Sequence, residues 1–398
     1  MKLLHLIRSL DPVTGGPSEG VRQLCVAHAR LGHMCDVGTL DAVGAPWLFE
    51  FPANVHAFGS SRFTYGYSLR LTKWLSTNAE VYDAIIVHGM WQYHGLAAWR
   101  ALRHSSRPYF IFPHGMLDPW FKRVYPIKHF KKWLYWQLFE GRVCRAARAL
   151  LFTTAEEAAL APKSFSLSGT HSIVVGYGIE PPSTIRSEQA SLFLAAFPVC
   201  NNKRLILFLS RIHPKKGCDI LLKAFSEVAH RDPAIHLVMA GPDEAGLRSQ
   251  LEALAADAGI SDRVTWTGML KGDLKWGALQ AAEVFALFSH QENFGIVIAE
   301  SLAAGRPVLI TKCINTWQTV RNEGAGFVGE DTIESATNLL NRWLDLDHAA
   351  RDAMGKGARA CFLNHFHIDA SATNLIRTIQ DMQTEETHFD RTRLVERT

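Results

Sequence analysis

Apolar runs of strand length alternate with segments of helical period along almost the whole of this 398-residue chain, and this alternation restricts the fold more than any other feature. In the first half the strand candidates are Lys2–Ile7, Cys35–Thr39, Ala84–Val87, Tyr109–Phe112, Ala149–Phe152 and Ser172–Val175. Helix candidates lie between them at Ser18–Leu31, Ser68–Asn78, Leu96–Ser105, Lys128–Arg145 and Ala155–Ala161. After a stretch mixing Pro, Ser and polar residues the pattern restarts. Strands are then expected at Leu205–Leu209, His236–Ala240, Arg263–Trp266, Val284–Phe288 and Pro307–Ile310, and helices at Asp219–Ala229, Ala245–Ala256, Trp276–Ala282 and Gly295–Ala304. Terminal helices are expected at Ile333–Leu344, His348–Cys361 and Asp369–Met382. Strand–helix alternation of this kind specifies parallel sheets covered by helices on both faces. The expectation is an α/β chain of two doubly wound, Rossmann-like domains facing a central cleft. Domain one spans 1–180, a linker 181–202, domain two 203–365, a final helix 366–382, and a flexible tail 383–398.

In open parallel sheets, ligands bind beyond the carboxyl ends of the strands. The chemistry-bearing motifs should therefore lie in loops that follow strands, and four do. The run Asp11–Ser18 carries Gly15 and Gly16 just before a helix that Ser18 is expected to cap, an arrangement that presents backbone N–H groups to an anion or simply makes a tight turn. The run Ser210–Gly217 carries Arg211, a rigid fork of donors, and Lys216, a compact charge. Beside a helix start this pair would hold a diphosphate; a solvated basic turn is the plainer reading. The run from Glu292 to Glu300 sets two carboxylates eight residues apart, about 12 Å along an axis if the span were helical. That exceeds the ~5–10 Å of two carboxylates acting on one glycosidic bond, so separate roles are expected. The N–H groups of Asn293, Phe294 and Gly295 at the helix start suit sugar hydroxyls or phosphate. Finally, His114 stands after a strand and before Gly115, where it can meet a sugar hydroxyl; His88-Gly89 repeats the arrangement.

Bulk properties narrow the class. The net charge of +4 is only mildly basic and no nucleic-acid-binding motif is present, so no nucleic-acid partner is expected. The seven cysteines are scattered without a CxxC spacing, which points away from a disulfide framework or structural zinc and toward a reducing cytoplasm. The apolar N-terminus is broken by His5 and Arg8 and lacks a small-residue cleavage site, so it is read as a strand rather than a signal peptide. No apolar stretch reaches the ~18 residues of a membrane span. The sole Asp-x-Asp, Asp345-Leu346-Asp347, follows no strand and is read as a helix connection, so no metal is expected.

Arg211 and Lys216 in an RxxxxKG setting, Glu292 and Glu300 in an E-x7-E setting, and Gly15-Gly16 after the first strand together resemble family-4 retaining glycosyltransferases of the GT-B fold. The run His114–Trp120 resembles the branch that builds bacterial exopolysaccharide and lipopolysaccharide. The likeness spans roughly residues 1–380. It implies metal-independent transfer of a sugar from a nucleotide-diphosphate sugar to a hydroxyl, with no cofactor. By the same likeness Arg211 and Lys216 hold the leaving diphosphate, and Glu300 the ribose. Glu292 with Asn293, Phe294 and Gly295 holds the donor sugar, and His114 stands where donor sugar and acceptor meet. Gly16 approaches the donor phosphate or the acceptor, and the final helix returns to the first domain. Gly176-Tyr177-Gly178 departs from the usual Asn-Gly turn, and Asn315–Gln318 lacks the usual acidic residue. Two alternatives share the diphosphate site: a sugar-nucleotide epimerase or hydrolase, and a catalytically silent sugar-nucleotide-binding subunit. Between Trp120 and Leu150, eight Lys and Arg residues stand against Glu140 alone, interleaved with eight aromatics. Such a stretch can lie on an anionic membrane surface, which suits a polyprenyl-linked glycan acceptor and a peripheral position on the inner face of the cytoplasmic membrane.

Overall fold

The computed structural model describes residues 1–59, 64–182 and 187–395. They form two compact units: Met1–Gly178 joined by the segment from Ile368 onward, and Ile179–His367. The first unit holds seven strands: β1 (Lys2–Ile7), β2 (Met34–Ala42), β3 (Asn54–Gly59), β4 (Ala84–His88), β5 (Tyr109–Phe112), β6 (Ala149–Phe152) and β7 (Ser172–Val174). The second holds β8 (Arg204–Leu209), β9 (Ile235–Ala240), β10 (Val264–Gly268), β11 (Ala282–Leu287), β12 (Val308–Thr311) and β13 (Gly326–Gly329). Their orders are 3-2-1-4-5-6-7 and 10-9-8-11-12-13, and every pairing is parallel. Each sheet therefore reverses its winding once, between β1 and β4 and between β8 and β11. Those reversals are where a doubly wound sheet leaves room for a ligand.

Central strands such as β5 and β6 read as unbroken apolar runs because both faces are covered. In β4 and β5 every residue is buried. Leu3, Ala84, Ile86, Phe110 and Leu151 on one face of the first sheet pack against Leu375, Ile376, Ile379 and Met382 of the last helix, Ile368–Val395. That helix is also held by Ile368 and Ala372 against Leu24 and Ala27, and by a 2.6 Å ion pair between Arg30 and Asp369. It runs on to Val395, so the stretch expected as a flexible tail is helical up to that residue.

Four further differences from the expectations have local causes. The supposed linker 181–202 contains a helix, Ser187–Ala196, in which Phe193 is fully buried; its Ser, Glu and Gln residues disguised it as a connection. Strands β3 and β13 were not expected. β3 has the mixed pattern of an edge strand, and β13 is four residues flanked by Gly326 and Gly329. The single helix expected over Lys128–Arg145 is divided: Pro126–Tyr135, a π-helical turn at Trp136–Glu140, and Gly141–Ala146. Its forerunner, Trp120–Val124, is separate, because Pro126 opens a new first turn. Ser18 does not cap the helix Gly16–Arg30. Gly15 does, at φ +89°, and Ser18 Oγ instead donates to the Gly15 carbonyl at 2.8 Å.

Buried histidines, His94 and His236 among them, make stability depend on pH. Burial, with a smaller push from Arg8, lowers His94 to about 4, although its hydrogen bond to the His88 carbonyl acts the other way. Burial, then Lys203 and Arg263, lowers His236 to about 4. In the unfolded chain both protonate near 6.5. Between these values the unfolded state binds more protons, so stability is complete above about pH 6.5 and declines as pH falls toward 4. Each group contributes at most about 1.4 kcal/mol per pH unit. The urea midpoint is therefore expected to drop between pH 7 and pH 5, and His94→Gln to flatten that drop. Equal midpoints across this interval would contradict the assignment.

Candidate active site

The second unit gathers the strongest cluster. β8 ends at Leu209 and the chain turns through Arg211 and a short 3-10 turn, Pro214–Lys216, before the helix Cys218–Val228. His213 caps that turn, its ring accepting from the Lys215 N–H at 3.1 Å. Gly217 then adopts φ +61°, and a Cβ there would stand 2.1 Å from the Phe288 carbonyl oxygen. The absent side chain lets the basic turn lie directly on the end of β11. The His290 N–H donates to the Lys215 carbonyl at 2.9 Å and locks the two strand ends together.

This contact carries Lys216 to Glu292. Both side chains are largely buried, and Lys216 Nζ donates to Glu292 Oε2. Desolvation raises the Glu292 carboxyl, but Lys216, then Lys215 and the Asn293 N–H, outweigh it and hold the group below the ordinary carboxylate range. Glu292 stays ionised, and its backbone is clamped between the Cys313 carbonyl and the Asn315 N–H, at 3.0 and 3.1 Å. Asn315 also donates its side-chain amide to Asn293 Oδ1 at 3.1 Å. The loop that lacks the acidic residue thus supports the Glu292 loop.

Gly295, at φ +72°, is the N-cap of the helix Ile296–Ala303, and Phe294 is buried beside it. The Asn293 N–H is turned toward the Glu292 carboxylate. Glu300 lies one turn into the helix and is buried. It accepts from Lys275 Nζ at 2.6 Å. Lys275 was not anticipated; no spacing in sequence relates the helix Gly272–Ala281 to Glu300.

Arg211 differs from Lys216. It is about half exposed and pairs with Glu244 at 2.7 Å. An exposed pair of this kind contributes ~0–1 kcal/mol. Arg211→Ala is therefore expected to change the free energy of unfolding by less than about 1 kcal/mol, measured by urea denaturation; a larger loss would mean the guanidinium has a structural task.

In the first unit, Gly15 and Gly16 lie after β1 and His88 ends β4, so both flank the reversal of that sheet. His5, His88 and His114 form a line: His5 Nδ1 to His88 Nε2 is 2.9 Å and His88 Nδ1 to His114 Nε2 is 3.0 Å. Burial lowers His114 to about 4, which keeps its ring neutral. His114 has φ +51°, an uncommon conformation for a residue with a side chain. The turn is held by Glu157, which accepts from the Gly115 N–H at 2.6 Å and from the Thr153 N–H at 2.8 Å. Sequence reading missed Glu157. A Thr154-x-x-Glu157 capping box was visible, and its carboxylate reaches the His114 turn instead of closing the box. Asp345 pairs with Arg231 at 2.6 Å and Asp347 caps the helix His348–Cys361, as expected of a helix connection.

Comparison with known proteins places this geometry. Residues 15–178 match the model of the glycosyl transferase 4-like domain, and residues 195–360 that of glycosyl transferases group 1. The D-inositol 3-phosphate glycosyltransferase of Salinispora tropica is 30% identical over 269 residues, covering 64% of this chain and 54% of the relative. That of Nocardia farcinica is 28% identical over 242 residues, covering 58% and 52%. The chain thus spans about half the length of these curated relatives. Among solved structures, Anabaena HepE in complex with UDP and glucose superposes with a TM-score of 0.73 at 18% identity, over 96% of this chain and 100% of that one. WaaG, a glycosyltransferase involved in lipopolysaccharide biosynthesis, superposes with a TM-score of 0.64 at 17% identity, over 94% and 98%. By fold the chain is a GT-B protein, and its two halves match, in order, the model of the glycosyl transferase 4-like domain and that of glycosyl transferases group 1.

Proposed function

We propose that this protein transfers a sugar from a nucleotide-diphosphate sugar to an acceptor hydroxyl with retention of anomeric configuration. The observation that carries the reading is the Lys216–Glu292 pair, buried at the reversal of the second sheet with Arg211 on the same loop. A departing diphosphate gains negative charge; Lys216 and Arg211 stabilise it by charge already in place, without a metal. Glu292 keeps Lys216 ordered through their ion pair and offers its carboxylate to the donor sugar's hydroxyls. Gly295, Phe294 and Asn293 border the sugar, and Glu300 with Lys275 takes the ribose. The sugar C1–O bond breaks, the acceptor oxygen bonds to C1 on the same face, and the departing phosphate oxygen takes the acceptor's proton. His114 and Gly15-Gly16 serve the acceptor side.

The acceptor we propose is lipid-linked, in cell-surface polysaccharide synthesis at the cytoplasmic face of the membrane. Ile127, Phe130 and Leu138 are 75%, 59% and 57% exposed in the same segment as Lys122, Arg123, Lys128 and Lys131. Apolar side chains exposed among cations match an anionic bilayer surface. No helix among the described residues is long and apolar enough to cross a membrane. The relatives' name favours a second reading, a small phosphorylated polyol acceptor.

Thermal shift with UDP-, GDP- and ADP-sugars tests the donor, since a bound ligand raises the melting temperature. One class is expected to do so. Product analysis with polyprenyl-diphosphate glycans and with inositol phosphates then separates the acceptors. Free or epimerised sugar without acceptor would replace transfer by hydrolysis or epimerisation, and binding without turnover would indicate a silent subunit.

A further inference from the structure

The first unit contains a second cluster that the transfer reaction does not use. Cys25, on the helix Gly16–Arg30, and Cys35, on the next element β2, are ten residues apart, and their sulfurs and one ring nitrogen of His5 on β1 all lie within 4.8 Å of one another. Cys25 and His5 are buried, at 1% and 0% exposure. Both thiols are unbridged.

The two histidines around this cluster are held as metal-binding histidines are held. A ligating imidazole commonly donates its second nitrogen to an acceptor, which fixes the ring and turns a lone pair toward the ion. His5 has Nδ1 engaged with His88 Nε2, while its buried Nε2 has no hydrogen-bond partner. An imidazole nitrogen buried without a partner is costly, and a ligand removes the cost. His28 has Nε2 at 3.3 Å from the Ala372 carbonyl, an oxygen that only accepts, so that nitrogen carries the proton. The lone pair of its Nδ1 then faces Cys35 Sγ at 3.6 Å.

We propose that Cys25, Cys35, His5 and His28 form a closed structural zinc site in the N-terminal unit, formed by the packing of β1, β2 and the helix between them. Two thiolates and two imidazoles in a tetrahedral set are a known zinc donor combination, and four protein ligands leave no position for substrate. Loading expels the thiol protons and draws the ligand atoms together to ordinary coordination lengths. The sequence expectation of no zinc rested on the lack of a CxxC spacing; these ligands are assembled by tertiary packing instead. An ion on His5 Nε2 also fixes the proton of the His5–His88 bond on His5 Nδ1, and so sets the direction of the line of rings that ends at His114.

The test uses the full chain, reduced and stripped with a chelator, titrated with Co2+. One equivalent is expected to give thiolate-to-cobalt charge-transfer absorption and the visible bands of tetrahedral cobalt, bleached by one equivalent of Zn2+. The same bands should vanish in the Cys25→Ser, Cys35→Ser double variant. Because that variant disturbs a core, alkylation of the native protein followed by mass spectrometry supplies an independent reading: Zn2+ should protect Cys25 and Cys35 and leave the other cysteines unchanged. A silent titration of the unaltered protein overturns the proposal. So do bands that persist in the double variant, or alkylation of Cys25 and Cys35 indifferent to Zn2+. Nucleotide-sugar binding through Lys216 is a separate measurement, and neither result decides the other.

Discussion

Lys216→Ala is expected to lower the rate of sugar transfer by about 10²–10³, the loss that follows removal of one preorganised donor from a developing anion, or ~2.7–4 kcal/mol of barrier. Two effects combine. The ammonium proposed to meet the leaving diphosphate is gone, and Glu292, whose carboxyl Lys216 and then Lys215 hold below the ordinary range, keeps its desolvation while losing its principal partner. Its carboxyl should then titrate higher. Sign matters here. A carboxyl depressed in the native state adds stability above its unfolded value of about 4.3, and this is lost as pH falls through the lower native value. The alanine variant should therefore lose stability near neutral pH more than in acid. Single-turnover rates and urea midpoints at two pH values measure both parts. Glu292→Ala should also abolish most transfer. Near-normal turnover in either variant would count against the assignment.

Gly217→Ala should be more damaging to the fold than its size suggests. A left-handed backbone costs a residue with a side chain about 1–2 kcal/mol. Crowding a packed site adds typically ~1–3 kcal/mol. Here the new Cβ would lie 2.1 Å from the backbone carbonyl oxygen of Phe288, just past the end of β11, which cannot swing aside as a flexible side chain would. The second unit is expected to lose about 2–5 kcal/mol of stability, and nucleotide binding should weaken because the turn carrying Arg211 and Lys216 is pushed off the strand end. Gly259→Ala is the control. Gly259 shares a positive φ, +65°, with open space around it, so it reports the backbone cost alone. Equal losses in the two variants would show that the contact with Phe288 is unimportant.

Much of this was legible in the sequence, for physical reasons that differ from place to place. Central strands such as β4 and β5 are apolar on both faces and announce themselves. The edge strand β3 and the glycine-flanked β13 do not, since an edge needs no continuous apolar run. The helix Ser187–Ala196 was hidden because it opens on Ser187, Glu188 and Gln189, and its short apolar half points Leu192 outward while Phe193 is buried. At the site, the loops after β8 and β11 were readable because strand-end position and residue type point the same way. Their joining was not: the Lys216–Glu292 pair spans 76 residues, and Lys275 reaches Glu300 across 25. Glu157 was visible as part of a cap but not as the anchor of the His114 turn. Contacts of this kind arise from packing and carry no local pattern.

The proposed transfer depends on diphosphate recognition by the loops after β8 and β11. The most direct measurement is a crystal structure of the protein with a bound nucleotide-diphosphate sugar. The diphosphate should lie within hydrogen-bond reach of the Arg211 guanidinium and Lys216 Nζ, with the sugar beside Glu292 and the ribose at Glu300. A nucleotide bound elsewhere, with both cations still engaged only by Glu244 and Glu292, would contradict it.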